Sequence, residues 1–181
     1  MKSRDRCIFI VLLIVGPLSV VAQQRKPISE AWKALAPAID AVLAEDSEFK
    51  ACPKDSRWVE IVQTADVTGD GVDEALVQFC HIGAYTSTAA LMRLEQGKPV
   101  VVRVRRKDGS PVEFLQGASV QHGADAKLLP ERNAVYQMHW NGNESGTTDC
   151  GVEAFVWVAK SETFELRRAL SKDIAKNQCP K

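Results

Sequence analysis

Between Trp32 and Leu43 the apolar side chains Trp32, Leu35, Ala36, Ile39, Val42 and Leu43 recur at three- and four-residue steps, as in a helix with one buried face. Ser29 stands where an N-cap would. Pro37 lacks an N–H and predicts a kink or a division near Ala36. From Trp58 onward the period changes to two, in short β-branched runs separated by turn residues. This predicts strands over 58–64, 74–81, 87–95 and 99–106, the last two joined as a hairpin through the turn Gln96, Gly97, Lys98 and Pro99. Beyond the turn cluster at 108–111, a second series is expected over 112–121, 134–140, 152–160 and 163–170, then a short helix over 171–176. The expected fold is mostly β: an antiparallel meander of one or two blade-like four-stranded units with an N-terminal amphipathic helix covering a sheet face or edge.

The two series resemble each other. Val62, Gln63 and Asp66 have counterparts in Val120, Gln121 and Asp125, residues 75–79 (ALVQF) match 134–138 (AVYQM), and 90–104 align with 154–168 without a gap. An internal duplication of 58–106 and 112–170 is one reading and two unrelated meanders the other. In the second copy the loop between the first two strands falls at 127–133, where the acidic residues of the first are not repeated.

At the start of the chain Lys2, Arg4 and Arg6 precede an apolar run over residues 7–15, a break at Gly16 and Pro17, and the small residues Val20, Val21 and Ala22. This pattern predicts a signal peptide over 1–22, cleaved after Ala22, because the run is about half the length a membrane-spanning helix needs; an uncleaved anchor is the alternative. Residues 23–57 then form the N-terminal helix and linker, and 58–181 the β-rich domain. Removal of 1–22 leaves roughly 160 residues, enough for one core, and takes the formal charge from zero to about −2, which does not steer the chain towards nucleic acid. An extracytoplasmic location, periplasmic or secreted, and no stable membrane insertion after cleavage are expected.

Four cysteines remain, Cys52, Cys80, Cys150 and Cys179, an even set that predicts two disulfides in an oxidising compartment. Three pairings are open. Cys52 with Cys179 and Cys80 with Cys150 is the preferred one, since it ties the two ends together and joins two strand-flanking residues.

Residues 66–74, with the sequence DVTGDGVDE, carry the clearest chemistry. Calcium takes six to eight oxygens, most simply presented at alternate positions around a tight turn. Asp66, Thr68 and Asp70 supply such groups, Gly71 allows the sharp turn, Val72 offers a carbonyl and Glu74 a carboxylate, with Asp73 as a substitute for Glu74. Val77 stands where an EF-hand has its bidentate Glu, so this is not an EF-hand. The acidic loop running directly into the alternating strand 75–80 resembles the FG-GAP or VCBS-type repeat of integrin-like β-propeller blades. The resemblance covers residues 58–106. It implies a loop between the first two strands of a blade that binds calcium through Asp66, Thr68, Asp70, the Val72 carbonyl and Glu74. Thr68 departs from the family's usual Asp or Asn, and two units are too few to close a propeller. The alternative is a polar turn that binds no ion.

His81, His122 and His139 lack the spacing of a zinc site. Cys80 beside His81 is better read as a disulfide cysteine than as a nucleophile, and Ser87 has no identifiable base. Arg103, Arg105 and Lys107 fall on one face of a strand opposite Val100, Val102 and Val104, a solvated face or a binding surface for an acidic partner or polysaccharide. Residues 141–146 form a polar connection containing the sequon Asn143, Glu144 and Ser145. The expected function is a secreted non-catalytic module with a structural calcium loop that binds a protein or glycan partner. The alternatives are a small secreted hydrolase and an inhibitor of a secreted enzyme.

Overall fold

A computed structural model describes residues 27–81, 86–105, 108–112, 115–118, 125–142 and 148–179. In chain order the elements are α1 (Glu30–Lys33), α2 (Ala36–Glu45), α3 (Ser47–Ala51), β1 (Arg57–Ala65), β2 (Glu74–His81), β3 (Thr86–Glu95), β4 (Lys98–Val101) and β5 (Val104–Arg105). They continue with β6 (Pro111–Val112), β7 (Leu115–Ala118), β8 (Asp125–Leu129), β9 (Ala134–Gly142), β10 (Thr148–Val158), β11 (Thr163–Leu166) and α4 (Arg168–Gln178). The protein is mostly β, as its alternation predicts. Its strands form two sheets, antiparallel except where β5 meets β11.

Pro37 divides the N-terminal helix where expected. α1 ends at Lys33 and α2 opens at Ala36, so the proline occupies a first turn, where its missing N–H has no intrahelical partner to lose. Ser29 makes no side-chain cap. Its N–H instead donates to Thr64 Oγ1 at 3.0 Å, tying the helix start to β1.

The first sheet has the order β1-β2-β3-β4, with β7 pairing the early half of β3. Gln96 and Gly97, both at positive φ (50° and 77°), form the tight turn between β3 and β4, the primed turn that matches strand twist. The second sheet runs β6-β5-β11-β10-β9-β8.

Four expected boundaries are corrected. The strand expected over 99–106 is two: β4 stays in the first sheet, while β5 crosses to the second, with Val102 and Val104 both buried between the sheets. Strands that switch sheets in this way make the corners of a sandwich. The stretch 127–133, expected as a loop, holds the end of β8 and a 3-10 turn at Pro130–Arg132. The strand expected over 112–121 is also divided: Pro111–Val112 pairs β5 in the second sheet and Leu115–Ala118 pairs β3 in the first. Finally, the strand expected to reach 170 ends at Leu166, and α4 begins at Arg168, because Leu170 and Ile174 sit one helical turn apart against Tyr136, Met138 and Ala154.

These elements stack as helix, sheet, sheet, helix. The central core lies between the sheets, with Val67, Leu76 and Leu91 from one side meeting Leu128, Val135, Phe155 and Phe164 from the other. Full burial of each such side chain stabilises the fold by roughly 1.5–3 kcal/mol. Trp32, Ile39 and Leu43 cover the outer face of the first sheet over Val77, Phe79 and Met92. α4 covers the outer face of the second.

Each helical layer is tied to its own sheet by a disulfide. Cys52 bonds Cys80 (Cα–Cα 6.1 Å) and Cys150 bonds Cys179 (5.8 Å). The preferred pairing is therefore corrected: Cys52 and Cys179 lie on opposite outer faces with both sheets between them. The two bonds suit an oxidising, extracytoplasmic environment. Among the described residues no helix is long and apolar enough to cross a membrane.

Candidate cation loop between β1 and β2

The acidic stretch is the β1–β2 connection, and its backbone is shaped by Gly69 (φ 79°) and Gly71 (φ 87°), a region that L side chains rarely adopt. At Gly69 a Cβ would lie 2.9 Å from Asn133 Nδ2, so the loop passes close against the turn before β9. Val67, fully buried in the central core, anchors its start. Trp32 Nε1 donates to the Asp73 carbonyl at 2.7 Å and ties its end to α1.

Asp66 Oδ1 accepts the Gly69 N–H at 2.6 Å and Oδ2 the Gly71 N–H at 2.9 Å. Asp70 Oδ1 accepts the Val72 N–H at 2.8 Å. Glu74, 2% exposed, turns inward: Oε2 accepts the Val67 N–H at 2.9 Å and Oε1 the Thr68 hydroxyl at 3.2 Å. Burial works against the Asp66 carboxylate, but the N–H groups of Gly69, Gly71, Thr68 and Asp70 together outweigh it and hold its pKa below the ordinary value. Burial pushes the Glu74 pKa up, opposed by the Val67 N–H and the Thr68 hydroxyl and reinforced by the negative charges of Asp70 and Asp66.

The donor chemistry fits a hard cation, since it is all oxygen and a carboxylate oxygen bonded to one N–H keeps a further lone pair. The arrangement fits less fully. Among the described residues no three His, Cys, Asp or Glu side chains converge as a metal-holding group, because Asp66, Asp70 and Glu74 each close on donors of their own loop. Val72 is 44% exposed, and the Asp73 side chain is half-buried.

Other expected positions are placed as follows. Arg103 and Arg105 are exposed while Val102 and Val104 are buried, and Arg105 stands in register with Glu165 on β11. Ser87 pairs through its backbone in β3 with His81 and Gly117, the strand role expected of it. Lys107, His122 and the sequon at 143–145 lie outside the described residues, as do residues 1–26.

Two features escaped the sequence reading. One is a shallow groove of about 140 Å³ beside α4, lined by Leu129, Tyr136, Leu170 and Ile174, with the Arg132–Asp173 ion pair (3.8 Å) at its rim. The other is the row Arg168, Lys172 and Lys176 along α4, all exposed. Its four-residue spacing is a helical signal, hidden where the preceding strand is drawn on to residue 170. Compared with protein-family models, with curated proteins and with solved structures, the chain matches none.

Proposed function

We propose that this protein is a secreted, non-catalytic module that binds a protein or glycan partner through its outer surface, and that the β1–β2 loop is a structural calcium site of the FG-GAP or VCBS kind. Export by the segment 1–22 belongs to the same proposal. The observation that carries the surface-binding reading is the exposed row Arg168, Lys172 and Lys176 on α4, a helix held to the second sheet by Leu170, Ile174 and the Cys150–Cys179 bond. The groove beside that helix, at about 140 Å³, is smaller than the roughly 300–1,000 Å³ of small-molecule sites.

Calcium is supported by the alternate spacing of Asp66, Thr68 and Asp70, by the positive φ of Gly69 and Gly71, and by the negative charges of Asp70 and Asp66, which add to burial in raising the Glu74 pKa. Asp66, Thr68, Asp70 and the Val72 carbonyl would hold the ion. Glu74 would join them on leaving Val67 and Thr68, with Asp73 as its substitute. The ion's part is to neutralise the loop and stiffen the β1–β2 connection.

The test is capture from the native extracytoplasmic fraction on the immobilised full chain, with and without EDTA. A retained protein or glycan supports the reading. Failure to retain any partner, together with turnover of ester, peptide or glycoside substrates by the pure protein, would replace it with the hydrolase alternative.

A further inference from the structure

The two outer layers of the molecule carry opposite charge. Residues 27–56 hold six acidic and three basic side chains, and residues 167–179 four basic and one acidic. On the acidic side the lysines are partly neutralised, Lys33 by Glu30 at 2.7 Å and Lys50 by Glu45 at 3.8 Å. On α4 the balance is reversed. Its single acid, Asp173, is paired with Arg132, and Arg167 with Glu165 at 3.4 Å. Arg168, Lys172 and Lys176 have no ion-pair partner among the described residues.

Those three cations stand at i, i+4 and i+8, on one side of the helix and about 6 Å apart along its axis. The helix that presents them is fixed twice, by Leu170 and Ile174 against the second sheet and by the Cys150–Cys179 bond at its end. A row held in place loses little freedom on binding. Lys176 also complements the C-terminal end of the helix dipole, but Arg168, in the first turn, works against that dipole. Helix stability therefore does not account for the row as a whole.

From these observations we infer that the solvent face of α4 docks a linear polyanionic glycan. This rests on the surface-binding reading above and names its partner. Separate cations in a regular row match repeating charges along a polymer, whereas a single anion is held by donors that converge. A folded acidic protein would need an apolar centre to its interface. Among the described residues the large apolar side chain that is exposed is Val72, on the β1–β2 loop and not on α4.

The experiment titrates the purified, disulfide-intact chain with heparin, hyaluronate, neutral dextran and poly-glutamate. Heparin or hyaluronate binds and dextran does not. Three cations displacing counterions give a log–log salt slope of about −2, by analogy with other single-stranded polyanions, so affinity falls about tenfold or more between 50 and 200 mM salt. Lys172→Glu/Lys176→Glu loses at least tenfold at unchanged melting temperature, and Lys172→Gln/Lys176→Gln serves where reversal disturbs the helix. Lys54→Glu, on the opposite layer, changes nothing. No binding to either charged glycan at 50 mM salt, undiminished binding by both α4 variants, or equal affinity for poly-glutamate overturns the inference. A partner still captured from the extracytoplasmic fraction by the α4 variants would sink this site alone and leave the surface-binding reading standing.

Discussion

The side-chain amide of Gln63, on β1, satisfies both backbone groups of Leu128, on β8. Its Nε2 donates to the Leu128 carbonyl at 3.0 Å and its Oε1 accepts the Leu128 N–H at 2.9 Å. β1 and β8 are edge strands of different sheets, so one side chain does at this seam what a neighbouring strand does elsewhere. Gln63→Ala leaves a donor and an acceptor of a buried residue unpaired, at a cost of about 1–3 kcal/mol. Chemical denaturation checks it. A loss below about 0.5 kcal/mol would mean that water replaces the amide and that the seam does not depend on it.

The two carboxylates at the ends of the β1–β2 loop respond to pH in opposite directions. Glu74 has a raised pKa in the fold, so the folded state holds its proton more tightly than the unfolded chain. The stability it contributes is present in full below the ordinary value of 4.5 and is lost as pH rises through the raised value. Asp66, with its pKa lowered from 3.8, contributes stability above that value and loses it as pH falls through the lowered one. Glu74→Gln, measured with EDTA present, keeps an acceptor for the Val67 N–H and removes the buried charge. The variant's stability relative to the parent is then most favourable near pH 7 and declines towards pH 4.5. A difference that does not vary with pH would contradict the shift.

The meander β1–β4 was legible because each strand is long enough for its alternation to register and each turn is marked, at 66–73 by Asp and Gly and at 96–97 by Gln-Gly. β5 was not. It has two residues, and Val102 and Val104 alternate in the same way whichever sheet they serve. β8 is short and sits among turn residues, and its edge is satisfied by Gln63, a contact 65 residues away in sequence that no local pattern reports. In the loop, spacing announced Asp66, Asp70 and Gly71, but not Gly69, whose φ is also positive. That Glu74 turns inward to Val67 and Thr68 depends on the helix and core that bury it, and those are set by tertiary packing.

The disulfides close each half of the molecule on itself, over 28 and 29 residues. Loops of that size are each worth roughly 3–4 kcal/mol in the chain-entropy account. Cys52→Ala/Cys80→Ala and Cys150→Ala/Cys179→Ala should therefore destabilise by similar amounts, and nearly additively, because the pairs lie on opposite faces. Proteolysis without reductant, followed by mass analysis, should link the Cys52 peptide to that of Cys80 and the Cys150 peptide to that of Cys179. A peptide joining Cys52 to Cys179 would contradict the fold at its two outer layers.

Calcium binding by the β1–β2 loop predicts a small, measurable stabilisation. Three carboxylates and a hydroxyl correspond to a Kd on the order of 10⁻⁴ to 10⁻³ M, the range of calcium sites in extracellular modules. At 10 mM calcium that stabilises the fold by about 1.4–2.7 kcal/mol, or roughly 3–10 °C in Tm for a chain of this size. Because Trp32 donates to the Asp73 carbonyl, closure of the loop around an ion should also shift the intrinsic fluorescence, and Trp32→Phe should remove that signal while leaving the Tm response. Asp66→Asn should remove both, since Asp66 is the one carboxylate with both oxygens turned to the backbone donors of Gly69 and Gly71. Magnesium, which keeps several waters, should give less than calcium at equal concentration. The loop already satisfies its own N–H groups, so the fold persists in EDTA and only the increment is at stake. An unchanged Tm at 10 mM calcium, in protein purified without metal, would reduce residues 66–74 to a polar turn whose acids serve only the backbone.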